Sequence, residues 1–338
     1  MPHPDAGSRL ATRIAFFVAG FGLACWAPLV PLTKARLVIS DGSLGLLLLC
    51  LGLGSVLSMQ FAGAFISKLG ARPIIIIGGI GQAILLPFLA FAPTVPTMAA
   101  ALLIFGGFLG LIEVSMNVHA VEVEKRGDKP LMSGFHGLFS VGGFVGSLLL
   151  TAILSAGVAP TAGAIGASLL MIVAVLFAAP RLIDTPQADQ TPFFAVPRGI
   201  VALLAILASI TFLTEGAMLD WSALLLTDRG ILPTAQAGIG YSVFAVAMTA
   251  GRLTGDAVVM RLGNRRTMFW GGILAIIGYI VLLTAPTAAL ALFGFLLIGP
   301  AGIGSVAQAI GLPGAFVVLT LMLILVPLCA GAVTRRTV

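Results

Sequence analysis

Long apolar blocks run through this sequence, and short segments with charged residues, proline or polar clusters separate them. Each block is apolar on every face of a helix and is long enough to cross a bilayer, which takes about 20 residues. Backbone in contact with lipid has to satisfy its own hydrogen bonds, so the blocks predict helices. The predicted spans are 12–32, 43–66, 74–92, 97–118, 133–155 and 161–179, followed by 198–221, 236–259, 268–285, 287–310 and 312–333.

The pattern predicts an all-α, polytopic membrane protein of about eleven spans. A polar segment at 180–197 separates the sixth span from the seventh. We therefore expect an N-terminal six-helix bundle at 1–179, a cytoplasmic linker at 180–197 and a C-terminal bundle at 198–338.

The composition of the chain agrees with the prediction that most of it is surrounded by lipid. Only 9% of the 338 residues are Asp, Glu, Lys or Arg, against roughly 25% in an average soluble domain. The mean hydropathy is +1.15. The net charge of +6 does not indicate a nucleic-acid partner, because the cations lie mostly between the apolar blocks, where they set topology.

The distribution of these cations predicts the orientation. A cytoplasmic N-terminus places one group of cations inside and a much smaller group outside, which is a strong positive-inside bias. The inner group is Arg9, Arg13, Lys68, Arg72, Lys125, Arg126, Lys129, Arg181, Arg198, Arg261, Arg265 and Arg266. The outer group is Lys34, Arg36 and Arg229. The N-terminus is therefore expected in the cytoplasm.

The span 287–310 is unusual because Pro300 lies in its middle, within LLIGPAGIG. A proline there kinks a helix or marks a place where two half-spans were joined. Eleven full crossings would also put Arg335 and Arg336 outside, against the charge bias. We expect the second bundle to lack part of one helix hairpin near residue 300. The alternative is an intact eleven-span protein with an external C-terminus.

An internal repeat connects the two halves. Lys68-Leu-Gly70-Ala-Arg72 follows the second span, and Arg261-Leu-Gly263-Asn-Arg265 follows the eighth, 193 residues later. The shared form at the same place in each half predicts two six-helix units in a parallel repeat.

The first of these loops resembles the Gly-x-x-x-Asp-x-x-Gly-x-Arg signature of the major facilitator superfamily. Gly63, Gly70 and Arg72 match it, whereas Ser67 stands where the acid is expected. In the second copy, Met260 takes that place and Asp256 lies one turn earlier. The resemblance implies a conformational loop in each half, formed by Gly63, Gly70, Arg72, Asp256, Gly263 and Arg265.

The segments 112–146 and 214–226 look like bacterial inner-membrane members near the fucose-permease type of sugar and proton symporter. Those relatives use a carboxylate in the fourth helix, and Glu113 matches its place. Their first-helix acid has no counterpart in this sequence. The resemblance implies secondary transport of a small polar, sugar-like solute by alternating access in an inner membrane, with proton symport.

Polar side chains inside the apolar blocks are the candidate site residues. An ionisable group within lipid costs at least about 2.5 to 3.5 kcal/mol, so each should face the protein interior or a wet cavity. Glu113 and Asn117 share one face of the fourth span and could hold a proton and bind a polar solute. Their alternative role is a structural hydrogen bond between helices.

Three further candidates lie in other spans. His136 begins a polar stripe on the fifth span and could relay protons, contact the solute or act as a satisfied structural histidine. Glu215 lies past the middle of the seventh span. Arg252 could bind an anion in the cavity or pair with Asp256 on its own helix.

Two groups are predicted to be structural. Gly142 and Gly146 indicate a close helix contact. The mixed-charge segment that begins at His119 and runs through Glu122, Glu124, Lys125, Arg126, Asp128 and Lys129 is predicted to be a solvated loop.

Catalytic motifs, a nucleotide-binding loop and metal-ligand spacings are absent from the sequence, so no cofactor, no metal and no enzymatic activity are expected. The expected partners are a small solute, protons and the bilayer, with a monomer as the functional state. Two other functions stay open. One is a membrane enzyme that uses Glu113, His136 and Glu215 on a lipid, and the other is a truncated paralogue that does not transport.

Overall fold

The computed structural model describes residues 6–126, 131–184 and 215–298. Within these ranges every regular element is a helix, so the predicted all-α class is confirmed. Contacts divide the chain into two compact units. The first unit is Met1–Val38 with Leu47–Phe193, and the second unit is Ile39–Leu46 with Phe194–Val338.

The helices up to residue 184 are long and apolar. They are α1 (Ala6–Ala24), α2 (Val30–Leu37), α3 (Asp41–Leu69), α4 (Ala71–Phe91), α5 (Val95–Lys125), α6 (Met132–Ser155) and α7 (Pro160–Ala178). Six described segments have the length and composition to cross a membrane, namely Ala6–Leu37, Asp41–Leu69, Ala71–Phe91, Val95–Lys125, Gly134–Ser155 and Pro160–Arg181. Each coincides with a span predicted for the first half, so these six predictions are confirmed.

The first predicted span, 12–32, is interrupted in the structure. α1 ends at Ala24, a single 3-10 turn follows at Ala27–Leu29, and α2 begins at Val30. Pro28 has no N–H to donate to the carbonyl group four residues earlier, so an undisturbed α-helix cannot pass through it. The apolar pattern alone did not predict this break.

α1 and α6 pack closely through glycine. Gly142 and Gly146 lie one turn apart on α6, and a Cβ atom on either would overlap a carbonyl oxygen of α1, at Phe17 and Phe21 respectively. Small residues allow this close approach between helices in lipid. The expected helix contact at these two glycines is therefore confirmed.

α3 and α5 cross in the same way. A Cβ atom on Gly54 of α3 would overlap the carbonyl oxygen of Leu103, and one on Gly106 of α5 would overlap that of Leu51. Gly110, one turn further along α5, lies against Ser55. This crossing was not predicted, and it fixes α5 against α3 in the turns just before Glu113.

The second unit contains the helix at 215–228, labelled α8, together with α9 (Ile239–Leu262), α10 (Asn264–Thr284) and α11 (Ala288–Leu297). α9 and α10 coincide with the predicted spans 236–259 and 268–285. Residues 198–214 of the seventh predicted span and the whole of 312–333 lie outside the described residues.

Only the first part of the predicted span 287–310 is described, and its helix is short. α11 ends at Leu297, and Ile298 adopts extended backbone with a ψ of 142°. The last residue of this helix lies three residues before Pro300. Residues 299–310 lie outside the described part of the chain.

An arginine binds the last carbonyl groups of a helix in each unit, an arrangement called here the arginine clamp. In the first unit, Arg36 donates from Nε to the carbonyl oxygen of Ala92 at 3.2 Å and from Nη2 to that of Leu89 at 3.1 Å, at the end of α4. Its Nη1 also donates to the carbonyl oxygen of Ala90. A cation at a helix C-terminus satisfies carbonyl groups that have no partner within the helix.

The clamp of the second unit occupies the corresponding positions. Arg229 donates from Nη2 to the carbonyl oxygen of Ala285 at 3.1 Å and from Nη1 to that of Leu282 at 2.9 Å, at the end of α10. Each of these three residues lies 193 positions after its counterpart in the first unit. The two arginines were predicted only as exceptions to the charge bias, and the structure gives them a role.

Two helix starts repeat with the same offset. Gly70 and Gly263 precede α4 and α10 with positive φ angles of 80° and 77°, a backbone region that favours glycine. Thr94 and Thr287 precede α5 and α11, and each side chain accepts a hydrogen bond from the main-chain N–H three residues later. The 193-residue repeat inferred from two loops thus extends to contacts at both ends of these helices.

We expect Arg36→Met and Arg229→Met to lower the thermal stability of the detergent-solubilised protein by similar amounts. Each change leaves helix-end carbonyl groups without their donor, at a cost of about 1–2 kcal/mol for partly exposed charged bonds. Arg36→Lys is the control, since it keeps the charge and loses the two-pronged geometry. The clamp argument is wrong if the lysine variant has wild-type stability.

His119 contradicts the prediction of a solvated loop. α5 continues to Lys125, so the charged segment up to that residue is helical, and His119 is completely buried. It continues the buried face of α5 that includes Ile112, Met116 and Ala120. The prediction for His119 is therefore wrong, while Asp128 and Lys129 lie outside the described residues.

Candidate functional site

Glu113 and Asn117 form the centre of the candidate site on α5. Both are half-buried. Asn117 donates a hydrogen bond from Nδ2 to the main-chain carbonyl oxygen of Glu113 at 2.8 Å. This bond within α5 sets the orientation of the amide relative to the main chain at Glu113.

The face of α5 that carries this pair is defined by the glycine crossing. At 100° per residue, Gly106, Gly110, Glu113 and Asn117 fall within a narrow sector of the helix. The two glycines approach the backbone of α3. Glu113 and Asn117 thus continue the stripe that faces α3, beyond the point of closest approach.

His136 lies near the start of α6 and is exposed within the described structure. Its ring meets the ring of Phe16 on α1 edge to face, with centroids 5.1 Å apart. Ser140, one turn later, is buried and donates to the main-chain carbonyl oxygen of His136 at 3.4 Å. α1 therefore contributes an apolar wall beside the histidine.

The candidates of the second unit are described less fully. Glu215 is half-buried in the first turn of α8 that the structure describes. Arg252 and Asp256 lie on α9, and Arg265 lies on α10, but the side chains of these three residues fall outside what is described. The predicted pairing of Arg252 with Asp256 stays a prediction.

The residues predicted to form conformational loops lie at or near helix ends where the structure describes them. Gly70 and Gly263 have the positive φ described above, and Arg72 lies in the first turn of α4, where Nη1 is 3.8 Å from Oδ1 of Asp184. Ser67, in the place of the missing acid, is exposed at its hydroxyl and donates to the carbonyl oxygen of Ala64. A Cβ atom on Gly63 would meet no described atom within 4 Å.

Sequence reasoning missed the residues that Arg72 and His119 contact. Asp184 lies 112 positions after Arg72, within a polar stretch that shows no local pattern. The burial of His119 follows from helical periodicity, because His119 lies four residues after Ser115 and seven after Ile112, both of which are buried. Extending the helical periodicity of the fourth span past residue 118 would have placed it inside.

The described helices and their length define a polytopic membrane protein built of apolar helices. A family model, the Major Facilitator Superfamily, matches residues 13–310. The chain belongs to this superfamily, and it is a transporter and not an enzyme.

Curated relatives from bacteria agree with this assignment. An uncharacterized MFS-type transporter of Yersinia pestis is 41% identical over 375 aligned positions, covering 98% of this chain and 97% of the relative. An uncharacterized transporter of Sinorhizobium fredii is 32% identical and covers 84% of this chain and 76% of its own length. Membrane protein MosC of Rhizobium meliloti is 30% identical, with 88% and 74% covered.

Solved structures of transporters share the fold. The nucleoside transporter NupG has a TM-score of 0.67 at 17% identity, covering 96% of this chain and 88% of that protein. The xylose transporter XylE from E. coli, in a partially occluded inward-open conformation, has a TM-score of 0.62 at 16% identity, with 97% and 89% covered. At these identities the likeness concerns the fold alone.

Proposed function

We propose that this protein is a proton-coupled secondary transporter that moves a small polar, sugar-like solute by alternating access. The observation that carries the proposal is Glu113, an acid half-buried on a helix long enough to cross a membrane. Such a group is costly in lipid and is retained where it has a function. A carboxyl group at this place can take up and release a proton during a transport cycle.

Each candidate residue has a role in this proposal. Glu113 carries the proton, and Asn117 offers an amide to the solute one turn away. His136 relays protons or contacts the solute, Glu215 is a second coupling acid, and Arg252 binds a negative group. The loops of Gly63, Gly70, Arg72, Asp256, Gly263 and Arg265 control the change between conformations.

The proposed substrate class has two supports. The sequence resembles symporters of the fucose-permease type, and the structural neighbours NupG and XylE are named for nucleosides and xylose. Both of those solutes contain a hydroxyl-rich sugar ring. We place the protein in a bacterial inner membrane as a monomer, with a cytoplasmic N-terminus.

The loss of a helix hairpin near residue 300 belongs to the same proposal. The alignment with the Yersinia pestis relative extends over 375 positions, more than the 338 residues of this chain. The relative therefore has residues without a counterpart here. This difference favours a second candidate function, a shortened paralogue that inserts into the membrane without transporting.

Uptake into proteoliposomes tests the proposal. The purified protein is reconstituted, a pH gradient is imposed with the acidic side outside, and radiolabelled L-fucose, D-xylose and uridine are the probes. We expect accumulation of at least one probe that stops when a protonophore removes the gradient. Absence of uptake for all three, with recovery after a hairpin from the relative is inserted near Pro300, would favour the shortened paralogue.

A further inference from the structure

His119 is a buried histidine with both ring nitrogens occupied. Its side chain is 0% exposed, near the end of α5. Nδ1 is 3.1 Å from the hydroxyl oxygen of Thr12 on α1. Nε2 accepts a hydrogen bond from the main-chain N–H of Ile183 at 3.0 Å. One ring thus connects two segments that are far apart in the sequence.

The partners determine the protonation of the ring. A main-chain nitrogen can only donate, so Nε2 must be without a proton. A neutral imidazole then carries its proton on Nδ1 and donates it to Thr12. The hydroxyl of Thr12 donates in turn to the carbonyl oxygen of Ser8 at 2.8 Å. Every polar hydrogen in this chain of bonds has an acceptor.

The burial of Leu182 and contacts from two arginines hold the same stretch as His119. Leu182 is 3% exposed and belongs to the core of the first unit. Arg126 donates from Nη2 to the carbonyl oxygen of Asp184 at 3.4 Å, and Arg72 lies 3.8 Å from the Asp184 carboxylate. Residues 182–184, called here the anchor, therefore contact α4 and the end of α5.

We propose that His119 is a positioning residue that holds the stretch of chain after α7 against the helices of the first unit. Without an acceptor at this place, the N–H of Ile183 would lose its partner in the protein, and Ile183 and Asp184 would be held less firmly. The structure describes the chain as far as Asp184, six residues after α7 ends at Ala178, and the anchor holds this stretch on the first unit.

Two substitutions separate the two hydrogen bonds of His119. In His119→Gln, Oε1 reaches the place of Nε2 and can accept from Ile183, while the bond to Thr12 is lost. In His119→Asn, Nδ2 takes the place of Nδ1 and can donate to Thr12, while the acceptor for Ile183 is lost. Both variants are polar, smaller than histidine and uncharged, so each is the matched control of the other.

Amide hydrogen exchange of the full-length protein in detergent is the first measurement. We expect the amide of Ile183 to exchange at least about tenfold faster in His119→Asn than in the wild type, the effect of one lost hydrogen bond. The His119→Gln variant should retain wild-type protection. Equal exchange in the two variants would overturn the proposal.

A spectroscopic measurement on the wild type needs no substitution. The 15N chemical shifts of labelled histidine distinguish the two neutral tautomers and the charged ring, and we expect His119 to carry its proton on Nδ1 alone. A proton on Nε2 would contradict the bond from Ile183 and overturn the proposal. This result does not depend on whether a variant folds.

The consequence for transport rests on the proposed function. With the probe that the wild type accumulates, His119→Asn should lower the maximal uptake rate several-fold and leave KM unchanged, while His119→Gln restores the rate. If hydrogen exchange shows that the anchor is released in His119→Asn and the uptake rate is unchanged, then His119 positions nothing that transport uses. If the wild type takes up no probe, the proposed function fails, and the exchange and 15N measurements still decide the anchor.

Discussion

Glu113→Gln is expected to abolish proton-driven accumulation while exchange of solute across the membrane continues. Glutamine has nearly the shape of glutamate and can hydrogen-bond a solute, but it cannot take up and release a proton. Net accumulation against a gradient requires that step, whereas exchange of labelled for unlabelled solute does not. We expect accumulation to fall at least about tenfold, which corresponds to loss of roughly 1.4 kcal/mol of coupling.

The measurement compares two assays on the same proteoliposomes. Uptake driven by a pH gradient reports coupling, and counterflow without a gradient reports binding and movement of the solute. Glu122→Gln is the control, because it removes an acid from the same helix that pairs with Arg126 at 2.9 Å. Unchanged gradient-driven accumulation in Glu113→Gln would remove Glu113 from the mechanism.

Gly54→Ala is expected to be the most destabilising single-methyl change in the first unit. The added Cβ atom would overlap the carbonyl oxygen of Leu103, and the backbone of α5 would have to move away. Overpacking commonly costs about 1–3 kcal/mol, and it costs more when the obstacle is backbone and no side chain can rotate aside. Since α5 carries Glu113 and Asn117, uptake should fall together with stability.

Gly52→Ala is the matched control on the same helix. Gly52 is exposed, and a Cβ atom there would meet no described atom within 4 Å. Alanine has a higher helix propensity than glycine by up to about 1 kcal/mol, so this variant should be as stable as the wild type or more stable. Thermal unfolding followed by fluorescence-detected size exclusion measures both. Equal stability of the two alanine variants would disprove the close crossing.

The features predicted best from the sequence are the membrane spans, because they depend on continuous apolar composition. The six spans of the first half follow from blocks of apolar residues, and each coincides with a described segment long enough to cross a membrane. The break after Ala24 was missed because Pro28 lies among residues as apolar as those of the helix itself. Its effect comes from a missing N–H, which hydropathy does not record.

Long-range partners could not be predicted from local pattern. Arg36 was recognised as a cation on the less charged side, but its acceptors at Leu89 and Ala92 lie more than 50 residues away. His119 was assigned to a solvated loop because six charged residues follow it within ten positions. Glu113 was predicted as a site residue because an acid within an apolar span is conspicuous in the sequence. Only the structure shows that the face of α5 that carries it is directed toward α3.

The two arginine clamps constrain chain length. From Arg36 to Thr94 and from Arg229 to Thr287, the two halves have the same number of residues between every pair of matching contacts. One inserted or deleted residue within a helix would turn all later side chains by about 100° and carry the carbonyl groups away from the guanidinium. Segments 36–97 and 229–290 have equal length and could therefore be exchanged for one another. Each segment would bring its own arginine clamp.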